Sequence, residues 1–361
     1  MYILALVVGR HAIHERCRSR RITVHFESRR RAATVDVHPP MTNTIKLYDM
    51  TDDMTRRRVF WLLQRLTSFS LWKRKRDAFA RFANEYENAV KTWPEDDPEA
   101  LPPQNLPIIS EILAAYDRGL SALARGNRFV WQRGEPLQYA IDRYNHLNAY
   151  FFPHPDYWDR GAQAFPYPPK VDALAQLLHA SEAQLEYAPF EPGHRDFAQL
   201  QSVGLLLTPN AYDHGFYTLP YPVFPDDLPP VPQAIGPVIK SGNKVPCDGI
   251  WEPVVVEREK LLGIVPIGHR RLRNNGCFNY FIRDIRAPKL RDNDLGLPVK
   301  THWRLLWEDK RYTDGVIPDE SEYFLEGPQQ NRDIVAYVRT NGLMIRAATG
   351  RCVVQRQSLV A

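Results

Sequence analysis

From Thr55 the apolar residues fall at Val59, Leu62, Leu63, Leu66 and Phe69, the spacing of one helix face. Asp52 and Asp53 precede them, where a helix N-terminus favours negative charge. Phe79, Phe82, Ala83, Tyr86, Val90 and Trp93 predict a second helix, stopped by Pro94 ahead of an acidic loop, Glu95 to Glu99. A third runs from Leu106, with Pro107 in its first turn, through Ile109, Ile112, Leu113, Tyr116, Leu120 and Leu123 to a C-capping Gly126. A fourth carries Leu137, Ala140, Ile141, Tyr144, Asn148 and Phe151 before Pro153, and a fifth follows Pro168-Pro169 with Val171, Leu174, Leu178 and Leu185.

Residues 189–237 hold ten of the thirty prolines, which excludes a continuous helix or a central strand. They also carry Phe190, Phe197, Tyr212, Phe216, Tyr217, Tyr221 and Phe224, too many aromatics for a solvated linker. This predicts an ordered wrap over the helices. Beyond Ser241 the pattern changes to short strands: Ile250 to Val256, Cys277 to Ile282, and Trp303 to Trp307. Pro253 points to an edge or a bulge in the first of these. Asp314-Gly315 and Asn341-Gly342 are turn signals, the second between Ile334–Val338 and Leu343–Ala347 as a hairpin. The expected class is α+β, an N-terminal helical domain followed by a small, mainly antiparallel β-sheet domain. The expected divisions are a leader at 1–40, helices at 41–188, the proline-rich wrap at 189–240 and a β-rich domain at 241–361.

Composition changes this picture in one place. Residues 1–40 carry eight arginines against three acids, which accounts for the whole net charge of +5 and leaves the remainder neutral. The leader has its charge after its apolar start, the reverse of a secretory signal. It admits three readings: a basic tail, a short terminal strand, or sequence translated from a start codon placed ahead of Met41. The third fits Pro39-Pro40 and the normal patterning that opens at Met41, so the leader is expected not to belong to the fold. No apolar run reaches the roughly 18–20 residues of a membrane-spanning helix. Cys17, Cys247, Cys277 and Cys352 form no CxxC pair, so neither a disulfide framework nor a zinc site is indicated.

Phosphate loops, nucleophile elbows and HExxH motifs are absent from the sequence, so no cofactor or metal is expected. No histidine pairs with another at helical or strand spacing. Arg56-Arg57-Arg58 and Lys73-Arg74-Lys75-Arg76 read as solvated helix faces, with an RNA-binding patch as the sharper alternative. The densest signal lies in three blocks: Val245 to Pro253, Gly276 to Phe281, and Trp303 through Tyr323. Trp251, Phe278, Phe281 and Trp307 suit a domain core. From Trp307 to Tyr323, however, six acids face only Lys310 and Arg311, a local charge of −4.

The same blocks carry a resemblance. The Gly249-Ile250-Trp251-Glu252-Pro253 turn, the Gly276–Phe281 strand and the Trp303–Tyr323 segment resemble the C-terminal half of bacterial polymorphic-toxin immunity proteins. The nearest types are those catalogued as immunity protein 71 and immunity protein 72, which accompany Rhs-type and type VI secretion toxins. Similar members begin with arginine- and aromatic-rich helices, as residues 41–93 do, and the resemblance spans about residues 41–325. It implies a cytoplasmic protein, not an enzyme, that binds one cognate toxin domain and blocks its active site. It brings no catalytic residues.

On that reading the candidate toxin-binding residues are Trp251, Glu252, Glu308, Asp309, Arg311, Tyr312, Asp314, Asp319, Glu320 and Tyr323. Their acids would complement the basic active site of a toxin acting on nucleic acid or nucleotides. The competing account has these acids capping turns and pairing locally with Lys310 and Arg311. Asp314 and Glu320 are both expected in accessible loops. Two other functions stay open at this point: a hydrolase using carboxylates of the third block, and an RNA-binding protein using the basic helices.

Overall fold

A computed structural model describes residues 49–94, 101–150, 169–181, 190, 197–212, 219–234, 236–261, 265–291 and 297–325. The leader, the 334–347 hairpin, and the predicted Phe151, Leu185, Phe216 and Tyr217 contacts lie outside the described residues. Helices occupy the first half: α1 (Asp53–Leu66), α2 (Phe69–Thr92), α3 (Leu106–Leu123), α4 (Pro136–Tyr150) and α5 (Pro169–Ala180). A short α6 (Gly204–Leu207) follows. Strands occupy the second half: β1 (Val238–Lys240), β2 (Gly249–Leu261), β3 (Val265–Asn274), β4 (Asn279–Phe281), β5 (Leu290–Arg291), β6 (Pro298–Val299) and β7 (His302–Glu308). The protein is α+β, with its strands paired antiparallel in both sheets.

Helix α1 starts as the sequence predicts, with the Asp52 carboxylate accepting from the Thr55 N–H at 2.7 Å. It ends earlier than expected. Thr67 caps it, Ser68 caps α2 through Leu71 N–H, and Phe69 opens the second helix instead of closing the first. Phe60, Trp61, Leu62 and Leu63 are all buried, so α1 is apolar around most of its circumference and serves as a central helix. Phe60 meets Trp307 of β7 edge-on, while Trp61 meets Phe224 and Tyr323.

Helix α2 presents Trp72, Phe79, Phe82, Ala83 and Tyr86 inward, at the spacing of one face, and packs against α3 and α5. Helices α3 and α4 pack closely because Gly119 lacks a side chain: a Cβ there would lie 2.4 Å from Leu137 Cδ2. Gly126 adopts φ +75°, the left-handed C-cap conformation expected of it.

The main sheet runs β1-β7-β2-β3, with β4 also paired to the start of β2. Strand β2 is therefore interior, a correction to the edge position that Pro253 suggested. Pro253 is tolerated because the flanking partner changes there, from β4, ending at Trp251↔Asn279, to β3, beginning at Val254↔Asn274. The β2–β7 register also shifts between Ile250 and Trp251. Strand β3 is an addition to the sequence reading, since Pro266, Gly268 and three arginines interrupt any alternation there. Strands β5 and β6 form a separate two-stranded ladder.

Helices and sheet share one hydrophobic core that includes Leu63, Trp72 and Trp131 together with Ile250, Trp251, Phe281 and Trp303. The proline-rich stretch touches both parts. Arg57 donates to Leu228 O at 2.8 Å, α6 packs on α1, and Asn279 of β4 exchanges hydrogen bonds with the Leu200 backbone at 2.9 Å.

Candidate functional site

The segment that follows β7 is built onto the corner between α1 and α2. Asp309, the first residue beyond the strand, has a fully buried side chain. Its carboxylate accepts from Arg128 at 3.0 Å, from Arg311 at 2.9 and 2.8 Å, and from the Tyr280 hydroxyl at 2.9 Å. Both arginines also reach the end of α1: Arg128 donates to Thr67 O, and Arg311 donates to Gln64 O and to the Thr67 hydroxyl. The last carbonyls of a helix have no partners of their own and carry partial negative charge, so guanidinium groups suit them.

The opposite chemistry serves the start of α2. The Phe69 N–H donates to the Tyr312 hydroxyl at 2.8 Å, and the Ser70 N–H donates to the Glu320 carboxylate at 2.7 Å. Tyr312 in turn donates a short hydrogen bond to Glu320. A carboxylate at the positive end of a helix is favourable for the same electrostatic reason. Tyr312 holds φ +69°, an uncommon conformation for a bulky residue, over-determined by its contacts with Phe69, Arg128 and Glu320.

Burial penalises the charged forms of Asp309 and Arg311, and their pairing decides the outcome. For Asp309, burial opposes ionisation, but the Arg311 hydrogen bonds and charge, with Arg128 and Tyr280, outweigh it and hold the pKa below the usual carboxylate range. Burial pushes the Tyr280 hydroxyl well above its ordinary value, with Asp309 adding to the effect. Burial pushes Tyr323 up to about 12.

The ten candidate residues are thus divided. Asp309, Arg311, Tyr312, Glu320 and Tyr323 gather at the α1–α2 corner, where Tyr323 O accepts from Arg65 and the Tyr323 ring meets Trp61. Trp251 and Glu252 sit inside the sheet core. Trp251 stacks on Phe281, and Glu252 pairs with its cross-strand neighbour Arg304 at 3.0 Å and with Arg56 at 3.6 Å. Six of the ten side chains (Trp251, Glu252, Asp309, Tyr312, Glu320 and Tyr323) are buried and held by their own chain, so their contacts are internal. Glu308, Asp314 and Asp319 are exposed. Glu308 pairs with Lys310, Asp314 accepts from Val316 N–H, and Asp319 accepts from Ser321, the local pairing and turn capping of the competing account.

Glu320 corrects the expectation of an accessible loop position. Its partners are the Ser70 N–H and Tyr312, and Glu320→Lys places a cation against the start of a helix. That substitution is expected to destabilise the fold by about 3 kcal/mol or more. Asp314→Lys is expected to cost no more than about 1 kcal/mol. Urea denaturation of the two variants measures the difference.

Arg128, Thr67 and Tyr280 carry no local signal of their role in the sequence. Arg128 lies 181 residues from Asp309 along the chain. The basic helices are also occupied. Lys75 is buried against Ser181 O, Arg76 pairs with Asp117, Arg74 lies over the Phe324 ring, and Arg58 lies over Phe224. Among the described residues, no group of three His, Cys, Asp or Glu could hold a metal ion, and no helix is long and apolar enough to cross a membrane.

Residues 50–152 match the family model for immunity protein 71, and residues 230–325 match the model for immunity protein 72. The chain is of the immunity-protein type. No curated protein and no solved structure matches it. Toxin neutralisation, through binding of a cognate toxin, is what these families bring to it. In this immunity protein the first matched segment spans α1 to α4 and the second spans β1 to β7 with the loop beyond. The cluster around Asp309 and Glu320 joins them: Thr67, Phe69, Ser70 and Arg128 come from the first segment, and Asp309, Arg311, Tyr312 and Glu320 from the second. In this structure the dense third block in large part welds the two segments into one body.

Proposed function

We propose that this protein neutralises one cognate secreted toxin of the Rhs or type VI type by binding its toxic domain in the cytoplasm and covering the active site. The observation that carries the proposal is the pair of immunity-family matches, which fall on two segments sharing one core. Such a function needs a rigid surface and no turnover. A rigid body lowers the ordering cost of binding, and the interlocked arginine and carboxylate pairs supply that rigidity. Specific complexes commonly bury about 1,200–2,000 Å² in total.

Gene neighbourhood supplies the partner to test, an adjacent open reading frame that ends in a toxin domain. Co-expression of that domain with this protein is expected to restore growth of cells that the domain alone kills, and the two should co-purify in equal amounts. Continued killing in the presence of soluble, folded protein would overturn the proposal.

A further inference from the structure

The exposed stretch from Thr313 to Asp319 is a projecting loop with a closed neck. At its base, the buried hydrogen bond from Tyr312 to Glu320 joins residues eight apart, and both anchor to the start of α2. Thr313 packs on the left-handed Gly126 turn, where a Cβ would lie 2.9 Å from Thr313 Cα. Within the loop, Gly315 N–H donates to Tyr312 O, Val316 N–H to the Asp314 carboxylate, and Ser321 N–H to the Asp319 carboxylate. The loop is therefore shaped by its own chain.

Its tip is apolar. Val316 is 61% exposed and Ile317 is 38% exposed. Among the described residues they are the one pair of exposed large hydrophobic side chains adjacent in sequence; Leu297 and Val299 come next, separated by Pro298 and lying at the β5–β6 ladder instead of in a loop closed at its base. Isolated exposed apolar residues are ordinary, whereas a contiguous pair on a fixed projection resembles the anchors that fill partner pockets. Exposed Asp314 and Asp319 flank the pair within the loop, exposed Glu322 follows its neck, and the sequence from Tyr312 to Leu325 contains no lysine or arginine. Lys73 and Arg74 line the cleft behind Asp319, but Lys73 pairs with Asp77 and Arg74 covers Phe324. The loop thus carries an exposed apolar pair between two exposed carboxylates.

We infer that Val316 and Ile317 are the anchor of the toxin interface, entering an apolar hollow on the cognate toxin whose rim is rich in lysine and arginine. This rests on the toxin-neutralisation reading and adds the surface and the chemistry of the partner. The acids guide association and the apolar pair holds the complex, because charge acts at long range and apolar contact only after water has left.

The experiment uses the full chain and the toxin domain encoded beside it, made inactive at its own catalytic residue. Val316→Ser with Ile317→Ser is expected to weaken binding by about 30-fold or more, chiefly through faster dissociation. Asp314→Asn, Asp319→Asn and Glu322→Gln together keep the acceptor oxygens that shape the loop and remove three charges. That variant should associate more slowly and lose part of the salt dependence of association. Hydrogen exchange on the wild-type complex should show slowed exchange at residues 313–319, a readout independent of any variant's folding. A wild-type protein that binds its toxin with no protection of this loop, or a serine variant binding within about twofold of wild type, overturns the inference alone. A wild-type protein that neither binds nor rescues overturns the toxin-neutralisation reading itself.

Discussion

Asp309→Ala is expected to remove about 3–5 kcal/mol of stability, because it strands two buried guanidinium groups at once. Arg128 is as buried as Asp309, and the Arg311 side chain is 14% exposed. Their remaining hydrogen-bond partners are carbonyls and a hydroxyl at the end of α1 and the Arg311 carbonyl, which satisfy hydrogen bonds but cannot neutralise two cations. Asp309→Asn keeps the shape and part of the hydrogen bonding, yet it should lose most of the same stability because the charge is gone. Equilibrium urea denaturation measures both. A loss below about 1 kcal/mol for Asp309→Ala would mean that the arginines relax into water and that the cluster does not weld the two matched segments.

The acid side of the pH profile tests the same cluster. The folded pKa of Asp309 lies below its unfolded value, so its contribution is fully present above the ordinary carboxylate pKa of about 3.9. It fades as the pH falls through the lower folded value, because the unfolded chain takes up the proton first. The stability gap between wild type and Asp309→Asn should therefore be constant near neutrality and narrow only below about pH 4.

Gly249→Ala should rank beside it. A Cβ at that position would lie 2.1 Å from the Trp307 carbonyl oxygen, a backbone atom of the paired strand that no rotamer can move. Gly249 pairs with Glu308 and with Phe281, and one residue earlier Asp248 O accepts from the Asp309 N–H at 2.9 Å. Relief of the clash must spread the end of the β2–β7 ladder and pull on the Asp309 cluster. The expected loss is at or above the upper end of the roughly 0.5–3 kcal/mol typical of single substitutions. Gly242→Ala is the control: it also has positive φ, +92°, but a Cβ there meets nothing within 4 Å. It should cost about 1–2 kcal/mol, the ordinary left-handed penalty. Thermal melting of the two variants separates steric clash from backbone preference, and equal losses would show that the close approach to Trp307 carries no weight.

Asp309 is buried and Gly249 is held in the β2–β7 ladder, whereas Val316 and Ile317 are exposed, and that difference has a functional meaning. The dense third block divides into a buried half, which should respond in stability, and an exposed tip, which should respond in binding. Reading the block as one acidic surface merges these two jobs.

Local pattern determined much of this protein. Val59, Leu62 and Leu66 recur at helical spacing because one face of α1 must meet a core; Asp52 starts a helix, and Pro94 and Gly126 follow the ends of helices, for reasons contained in single residues. The Asp314-Gly315 turn is likewise local chemistry, and the short aromatic motifs of residues 249–323 carry the family resemblance. The α1–α2 break rests on Thr67-Ser68, a polar capping pair set between the apolar Leu66 and Phe69, whose spacing by itself continues the helix. Strand β3 carried too irregular a pattern to be seen before its partner β2 was placed. What only the tertiary structure decided was which charges are spent inside. Asp309 and Asp314 are five residues apart and chemically identical, yet one meets Arg128 from across the chain and the other meets water. A carboxylate is buried only where distant donors converge on it, and no local spacing encodes that convergence.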